Sequence, residues 1–199
     1  MDDKLKQMLI DKAYELGYKY EREYMGCAQC VFAALTDTFN LRNAQTDAIF
    51  RSLTALAGGG AGQGDGSCGA YVGAAAFIGH ILGRSRDNFA DPDRIRNRTA
   101  RLVDRVHQKF VNEYGTVVCH QMHRKIYGRP FWFKDPDEMA KFEAAGAHET
   151  GCTSVVGNGA RWAAEVLLEE GLVGLPEAWS QACLRNGGIL LSSFLSFLA

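Results

Sequence analysis

The chain has 199 residues, of which 47% are hydrophobic and 23% are charged, a composition typical of one globular domain. Its 22 Lys and Arg residues against 23 Asp and Glu residues leave no excess of positive charge for binding nucleic acid. No apolar run reaches the roughly 20 residues of a membrane span, and residues 1–17 lack the apolar core of a signal peptide. We therefore expect a cytoplasmic protein, a single domain over residues 1–199, that binds neither nucleic acid nor membranes.

The first three predicted helices follow from apolar residues at helical spacing. The first helix has an apolar stripe formed by Leu5, Leu9, Ala13, Leu16 and Tyr20. The second begins after Gly26 and covers about residues 27–39. The third has Thr46 and Asp47 as candidate N-caps and ends at the glycines that start with Gly58.

Two longer helices are predicted in the middle of the chain. One begins near Cys68 and runs to about Leu82, and its small residues let another backbone come close. The next follows Asp91 and Pro92, an N-cap and a proline at the first helical position, and ends near Tyr114.

The last part of the chain is also predicted to be helical. Thr116 is a candidate N-cap for a short segment that contains Cys119, and Asp135 caps a short helix that has Glu138 at the capping-box position. A long helix follows Cys152 and ends at Gly171. With no strand pattern and no repeat, the sequence predicts an all-α bundle of six to eight helices with a glycine-rich loop.

Six cysteines are spread along the chain, and their chemistry depends on the compartment. They are Cys27, Cys30, Cys68, Cys119, Cys152 and Cys183. In a reducing compartment such cysteines bind metals or do redox chemistry more often than they form structural disulfides. Buried free thiols are the alternative.

Five glycines stand among the seven residues from Gly58 to Gly64, just before Cys68. A dinucleotide-binding loop follows a strand, whereas a helix precedes this one, and the Gly-Lys-Ser/Thr of a phosphate loop is missing. Nucleotide binding is therefore disfavoured. A glycine-rich loop that enters a helix can instead present N–H groups that stabilise a thiolate.

Four cysteines share one local setting, the first turn of a helix after a break in the chain. Gly26 precedes Cys27, the glycine-rich loop precedes Cys68, Thr116 lies close before Cys119, and Gly151 precedes Cys152; the four cysteines are thus Cys27, Cys68, Cys119 and Cys152. Four helix starts can converge at one end of a bundle. Thiolates gathered there suit zinc or an iron–sulfur cluster.

Four stretches carry a resemblance to a known family. They are "GCAQCVFAAL" (26–35), "GGGAGQGDGSCGAYVGA" (58–74), "YGTVVCHQM" (114–122) and "GCTSVVGNGARWAAEVLLE" (151–169). The chain resembles the redox-active C-GCAxxG-C-C family over about residues 5–170, which leaves residues 171–199 as a C-terminal extension. The family's four cysteines fall on Cys27, Cys68, Cys119 and Cys152.

The resemblance implies a cofactor and partners. The family is similar to the iron–sulfur part of split-Soret cytochromes, which implies an iron–sulfur cluster (2Fe-2S or 4Fe-4S), a homodimer, and electron transfer with a redox partner protein. We expect the cofactor-binding loop to be shaped by Gly59, Gly60, Gly62, Gly64 and Gly69. No Cys-x-x-Cys-His is present, so attachment of c-type haem is not expected. No acid–base pair stands out, which favours an electron carrier over an enzyme.

Cys30 keeps three interpretations open, since it lies one helical turn beyond Cys27. The first interpretation makes Cys30 an additional metal ligand of a larger, non-standard cluster. The second makes it the second thiol of a thiol–disulfide oxidoreductase that uses Cys27, and the third makes it a buried thiol. A zinc-binding structural dimer is a further alternative. Cys183 lies beyond the resemblance and is predicted to be a buried thiol.

Two histidines stand four residues from a cysteine, His123 after Cys119 and His148 before Cys152. Neither pair forms a standard zinc motif, so solvent-facing histidines are the preferred interpretation. His120 is a candidate hydrogen-bond donor to a cluster sulfur. The segment Arg129–Phe133 is expected to cover the cluster or a dimer contact.

Overall fold

The computed structural model describes residues 1–174, and these residues form eight α-helices and no strand. The helices are α1 (Asp3–Tyr24), α2 (Cys27–Thr38), α3 (Ala44–Ser52), α4 (Gly69–Leu82), α5 (Ile95–Tyr114), α6 (Cys119–Tyr127), α7 (Pro136–Ala144) and α8 (Cys152–Glu169). A 3-10 turn follows α3, and a π-helical turn (Ala147–Gly151) precedes α8. The predicted all-α bundle is confirmed. Cys183 and most of the predicted extension lie outside the described residues.

Helix α8 is the centre of the bundle and packs against α1, α2, α4 and α5. Its inward residues are apolar and mostly small, and Val156, Ala160 and Ala164 are fully buried. Such residues let neighbouring helices approach closely, which buries apolar surface that would otherwise face water. Over residues 1–174 no helix is both long and apolar enough to cross a membrane.

The predicted N-cap of α3 is wrong by three residues. Asn43 is the cap, because its side-chain oxygen accepts hydrogen bonds from the backbone N–H groups of Gln45 (2.9 Å) and Thr46 (3.1 Å). Thr46 completes a capping box by accepting from the Asn43 N–H at 2.8 Å. Thr46 is therefore inside the helix.

The predicted start of α5 at Pro92 is also wrong. Asp91 adopts a left-handed backbone conformation (φ 57°), so the chain turns once more before the helix begins at Ile95. The Asp91 carboxylate still caps the helix, since it accepts from the N–H groups of Ile95 (2.7 Å) and Arg96 (3.0 Å). The sequence therefore identified the capping residue but misplaced the helix start.

In α7 the predicted cap is confirmed and the capping box is not formed. Asp135 accepts from the N–H groups of Asp137 and Glu138. The Asp135 N–H donates to the Trp132 carbonyl at 3.0 Å and needs no side-chain partner. The Glu138 carboxylate turns instead to the basic side chains of Arg129 and Lys141.

Candidate functional site

The starts of four helices converge on one cavity of about 300 Å³. Cys27, Cys119 and Cys152 are the first residues of α2, α6 and α8, and Cys68 is the N-cap of α4. All four side chains line the cavity. The structure thus brings together the four cysteines that the sequence selects.

The glycine-rich loop connects two of these helix starts. Backbone hydrogen bonds run from the N–H of Cys119 to the carbonyl of Gly66 (3.0 Å) and from the N–H of His120 to the carbonyl of Gly64 (2.8 Å). The N–H of Cys68 donates to the carbonyl of Val117 at 2.7 Å. These bonds fix the position of Cys68 relative to Cys119.

The sequence predicts that N–H groups of the glycine-rich loop are free to stabilise a thiolate, but most of them already have backbone partners. The N–H groups of Ala61, Gly62, Gln63, Gly64 and Gly66 all donate to backbone carbonyls of the same region. Hydrogen bonding with Cys68 and burial raise the pKa of Cys27, and the backbone N–H of Gly58 opposes them. Loop donors are therefore mostly used to hold the loop, with one directed at a cysteine.

The five glycines expected to shape the cofactor site have different surroundings. Gly62 lines the cavity and Gly69 packs directly against Cys27. Gly59 and Gly64 pack against each other, Gly59 also against Cys119 and Gly64 against His120, while Gly60 has open space beside it. Apart from Gly62, they act through packing or turn geometry.

Cys30 lies apart from the four cavity cysteines. Its side chain is buried in the main hydrophobic core, and its thiol donates to the Met25 carbonyl at 3.2 Å. It is not among the described residues that line the cavity. Its polar neighbours Met25 and Glu21 line the cavity, so Cys30 lies directly behind the cavity wall.

The cavity disfavours free thiolates. Hydrogen bonding with Cys68, followed by burial, holds the pKa of Cys27 well above its ordinary value. Burial also raises the pKa of Cys119, and raises that of Cys152 to about 12 although the Tyr127 hydroxyl opposes it. Without a cation in the cavity these thiols stay protonated at neutral pH.

Glu21 is a cavity residue that the sequence analysis missed. It is 3% exposed, it lines the cavity, and its Oε2 has no hydrogen-bond partner. Burial raises its pKa to about 7. The buried face of α1 runs through Leu9, Ala13, Gly17 and Glu21 at four-residue steps, a stripe that spacing alone does not distinguish from the predicted one through Leu16.

The preferred interpretation of solvent-facing histidines is wrong. His123 is 2% exposed, its Nε2 lies 3.7 Å from the Cys119 sulfur, and burial lowers its pKa to about 4. The side chain of His148 is 13% exposed and lies between two carboxylates, with Nδ1 2.8 Å from Glu143 and Nε2 3.9 Å from Glu21. Both histidines line the cavity.

His120 and the aromatic segment lie at the side of the cavity. The His120 Nε2 is 3.0 Å from the carbonyl oxygen of Phe131, so this nitrogen pairs with backbone and not with a sulfur. Phe133 lines the cavity, and Phe131 packs against His123. Trp132 between them is 46% exposed. The segment covers one side of the four-cysteine cavity.

The shifted pKa values of Glu21 and His123 have opposite effects on how the stability of the metal-free protein changes with pH. Glu21 binds its proton more tightly when folded, so its contribution is present below pH 4.5 and is lost as the pH rises through about 7. His123 binds its proton less tightly when folded, so its contribution is present above pH 6.5 and is lost as the pH falls through about 4. Each effect is worth roughly 3 kcal/mol, at about 1.4 kcal/mol per pKa unit.

We therefore expect Glu21→Gln to reveal the His123 effect. The free energy of unfolding of the metal-free variant should fall by roughly 3 kcal/mol from pH 7 to pH 4, whereas that of the unmodified protein changes little because the two effects oppose each other. Urea unfolding at both pH values measures this. Glu15→Gln, at an exposed position of α1, is the control. Parallel pH profiles for all three proteins would contradict the assignment.

Within residues 1–174, no three His, Cys, Asp or Glu side chains are gathered closely enough to hold a single metal ion. Fold and site together define an all-α protein in which four helix starts surround a four-cysteine cavity, with Cys68 and Cys119 buried and Cys27 and Cys152 half-buried. Residues 25–166 match the family described as "Putative redox-active protein (C_GCAxxG_C_C)". The chain belongs to this family, as predicted, and the family assigns it a redox role. No curated protein and no solved structure matches the chain significantly.

Proposed function

We propose that this protein is an iron–sulfur redox protein that carries or stores electrons for a partner protein. Its cluster would be held by the sulfur atoms of Cys27, Cys68, Cys119 and Cys152. The observation that carries the proposal is that these four side chains, from four different helices, line one cavity of about 300 Å³. The homodimer implied by the family resemblance is part of the same proposal.

The residues of the cavity fit an iron–sulfur cluster better than a single zinc ion. Four thiolates are a suitable donor set for either group. With Zn–S bonds of about 2.3 Å, a tetrahedral zinc ion draws its sulfurs to within about 4 Å of one another. Among residues 1–174 no three such side chains are gathered to hold a single ion, although Cys27 and Cys68 are within hydrogen-bonding reach of each other. A cluster of several irons and sulfides fills more of the cavity and connects sulfurs that lie farther apart.

The walls of the cavity also favour a buried redox centre. Met122, Ile126, Phe133, Phe142 and Val155 are among the residues that line it. Apolar surroundings limit the access of water, which is one of the factors that set the reduction potential of a cluster. The N-termini of four helices carry partial positive charge, which stabilises the negative charge added on reduction. When bound, the cluster would supply a site that accepts and releases an electron.

A thiol–disulfide oxidoreductase is less well supported. Such an enzyme needs an attacking thiol whose pKa is lowered, whereas the pKa values of Cys27 and Cys30 are both raised, in Cys30 mainly by burial. Cys30 also lies in the core and not at the cavity. Raised thiol pKa values do not prevent cluster binding, because the cations of the cluster displace the protons of buried thiols.

Purification without oxygen tests the proposal. We expect a brown protein that contains iron and acid-labile sulfide and absorbs in the visible range, because the four cysteine side chains line one cavity. Zinc in stoichiometric amount without sulfide would contradict the proposal in favour of a zinc site. Absence of metal and sulfide after reconstitution with iron and sulfide would favour a thiol enzyme.

A further inference from the structure

One face of α6 contains a cysteine of the cavity and two polar aromatic side chains. Cys119, His123 and Tyr127 are spaced four residues apart, so they lie above one another on the helix. His123 approaches Cys119 on the same helix, and Tyr127 approaches Cys152 at the start of α8. Two of the four sulfurs thus have a polar side chain of α6 beside them.

The ring of His123 is fixed in place by its aromatic neighbours. It stacks on Phe142 at 5.0 Å between ring centroids, and Phe133 meets it edge-on at 5.3 Å. Its Nε2 lies 3.7 Å from the Cys119 sulfur, while its buried Nδ1 has no hydrogen-bond partner. A proton on Nδ1 would be an unsatisfied buried donor, which is costly. The favoured tautomer therefore has its proton on Nε2, directed at the sulfur.

The hydroxyl group of Tyr127 donates to the Cys152 sulfur at 3.4 Å. A tyrosine hydroxyl, with an ordinary pKa of about 10, carries its proton at neutral pH and can therefore donate. Gly151 makes this contact possible, because a Cβ atom at residue 151 would overlap the Tyr127 hydroxyl oxygen. The glycine before Cys152 therefore has a defined purpose: it leaves room for a donor at the sulfur.

We propose that His123 and Tyr127 donate hydrogen bonds to the sulfurs of Cys119 and Cys152 and thereby raise the reduction potential of the bound cluster. The inference rests on the proposed function. Reduction adds negative charge that is shared by the sulfur ligands, and a hydrogen bond to a more negative acceptor is stronger. The donors therefore stabilise the reduced form more than the oxidised form. Both are positioning residues, since they act through the ligands.

Redox titration of the cluster-loaded protein tests the inference with Tyr127→Phe and His123→Phe. We expect each variant to have a more negative reduction potential than the unmodified protein. The iron–sulfur stretching bands in resonance Raman spectra should also change, because the iron–sulfur bonds are altered. Tyr114→Phe is the matched control: it removes a partly buried tyrosine hydroxyl that accepts from Asn158 at 2.7 Å and is expected to leave the potential unchanged.

The outcomes separate the two proposals. Absence of iron and sulfide from the unmodified protein would contradict the proposed function itself. A Tyr127→Phe variant with a full cluster, the same potential and the same Raman bands as the Tyr114→Phe control would overturn the present inference and leave the proposed function standing. If His123→Phe does not bind a cluster, the result for Tyr127→Phe decides, since that substitution removes only one oxygen atom.

Discussion

Gly69→Ala should abolish binding of the cluster, whereas Gly79→Ala in the same helix should not. A Cβ atom at residue 69 would overlap the Cys27 sulfur and lie 2.9 Å from the backbone nitrogen of Ala28. Backbone at the start of α2 cannot move aside without moving Cys27. Overpacking of this kind costs about 1–3 kcal/mol, and here the strain falls directly on a proposed ligand.

The control substitution places the same methyl group in open space. No atom lies within 4 Å of a Cβ atom built at Gly79, and replacing glycine by alanine in a helix stabilises it by up to about 1 kcal/mol. Iron per chain, circular dichroism and thermal unfolding should be measured for both variants after reconstitution. We expect Gly79→Ala to keep its iron and to unfold at the same or a higher temperature. Full iron content in Gly69→Ala would show that Cys27 is not held as the structure indicates.

The starts of α2 and α4 were predictable because they depend on local sequence, whereas the N-cap of α6 is Val118 and not the predicted Thr116. Gly26 follows Met25, the C-cap of α1, and is the N-cap of α2, with a left-handed conformation (φ 94°) that glycine adopts readily. The glycine-rich loop likewise delays α4 until Cys68. Once each cysteine is assigned to the first turn of its helix, their convergence requires only that the helices share one end of the bundle.

The remaining parts of the site depend on packing between distant segments. Glu21 reaches the cavity because α1 packs against α8 through a face that includes Gly17. The apolar pattern of α1 by itself fits the alternative stripe through Leu16 equally well. His123 is buried because the segment after α6 folds back over it. Asn43 competes with Thr46 as a cap, and only the three-dimensional hydrogen bonds decide between them. None of these outcomes follows from spacing alone.

Cys68→Ser should lose the cluster and Cys30→Ala should keep it. Serine is close to cysteine in size, and the hydrogen bond from the residue 68 backbone to Val117 does not involve the side chain, so the fold should persist. A serine oxygen is a harder and weaker ligand for iron than a thiolate. Removing one of four sulfurs from the cavity should therefore abolish most iron binding.

Cys30→Ala separates the two remaining interpretations of Cys30. The thiol is buried and donates to the Met25 carbonyl at 3.2 Å, and Cys30 is not among the described residues that line the cavity. Alanine there should cost about 1 kcal/mol of stability, as for the loss of other small buried groups, with iron content and absorption spectrum unchanged. Cys183→Ser, outside the described residues, is expected to behave in the same way. Lower iron in Cys30→Ala, with the helical circular dichroism spectrum intact, would instead make Cys30 a fifth ligand. Five thiolates require a cluster larger than the usual two-iron or four-iron types, which take four ligands.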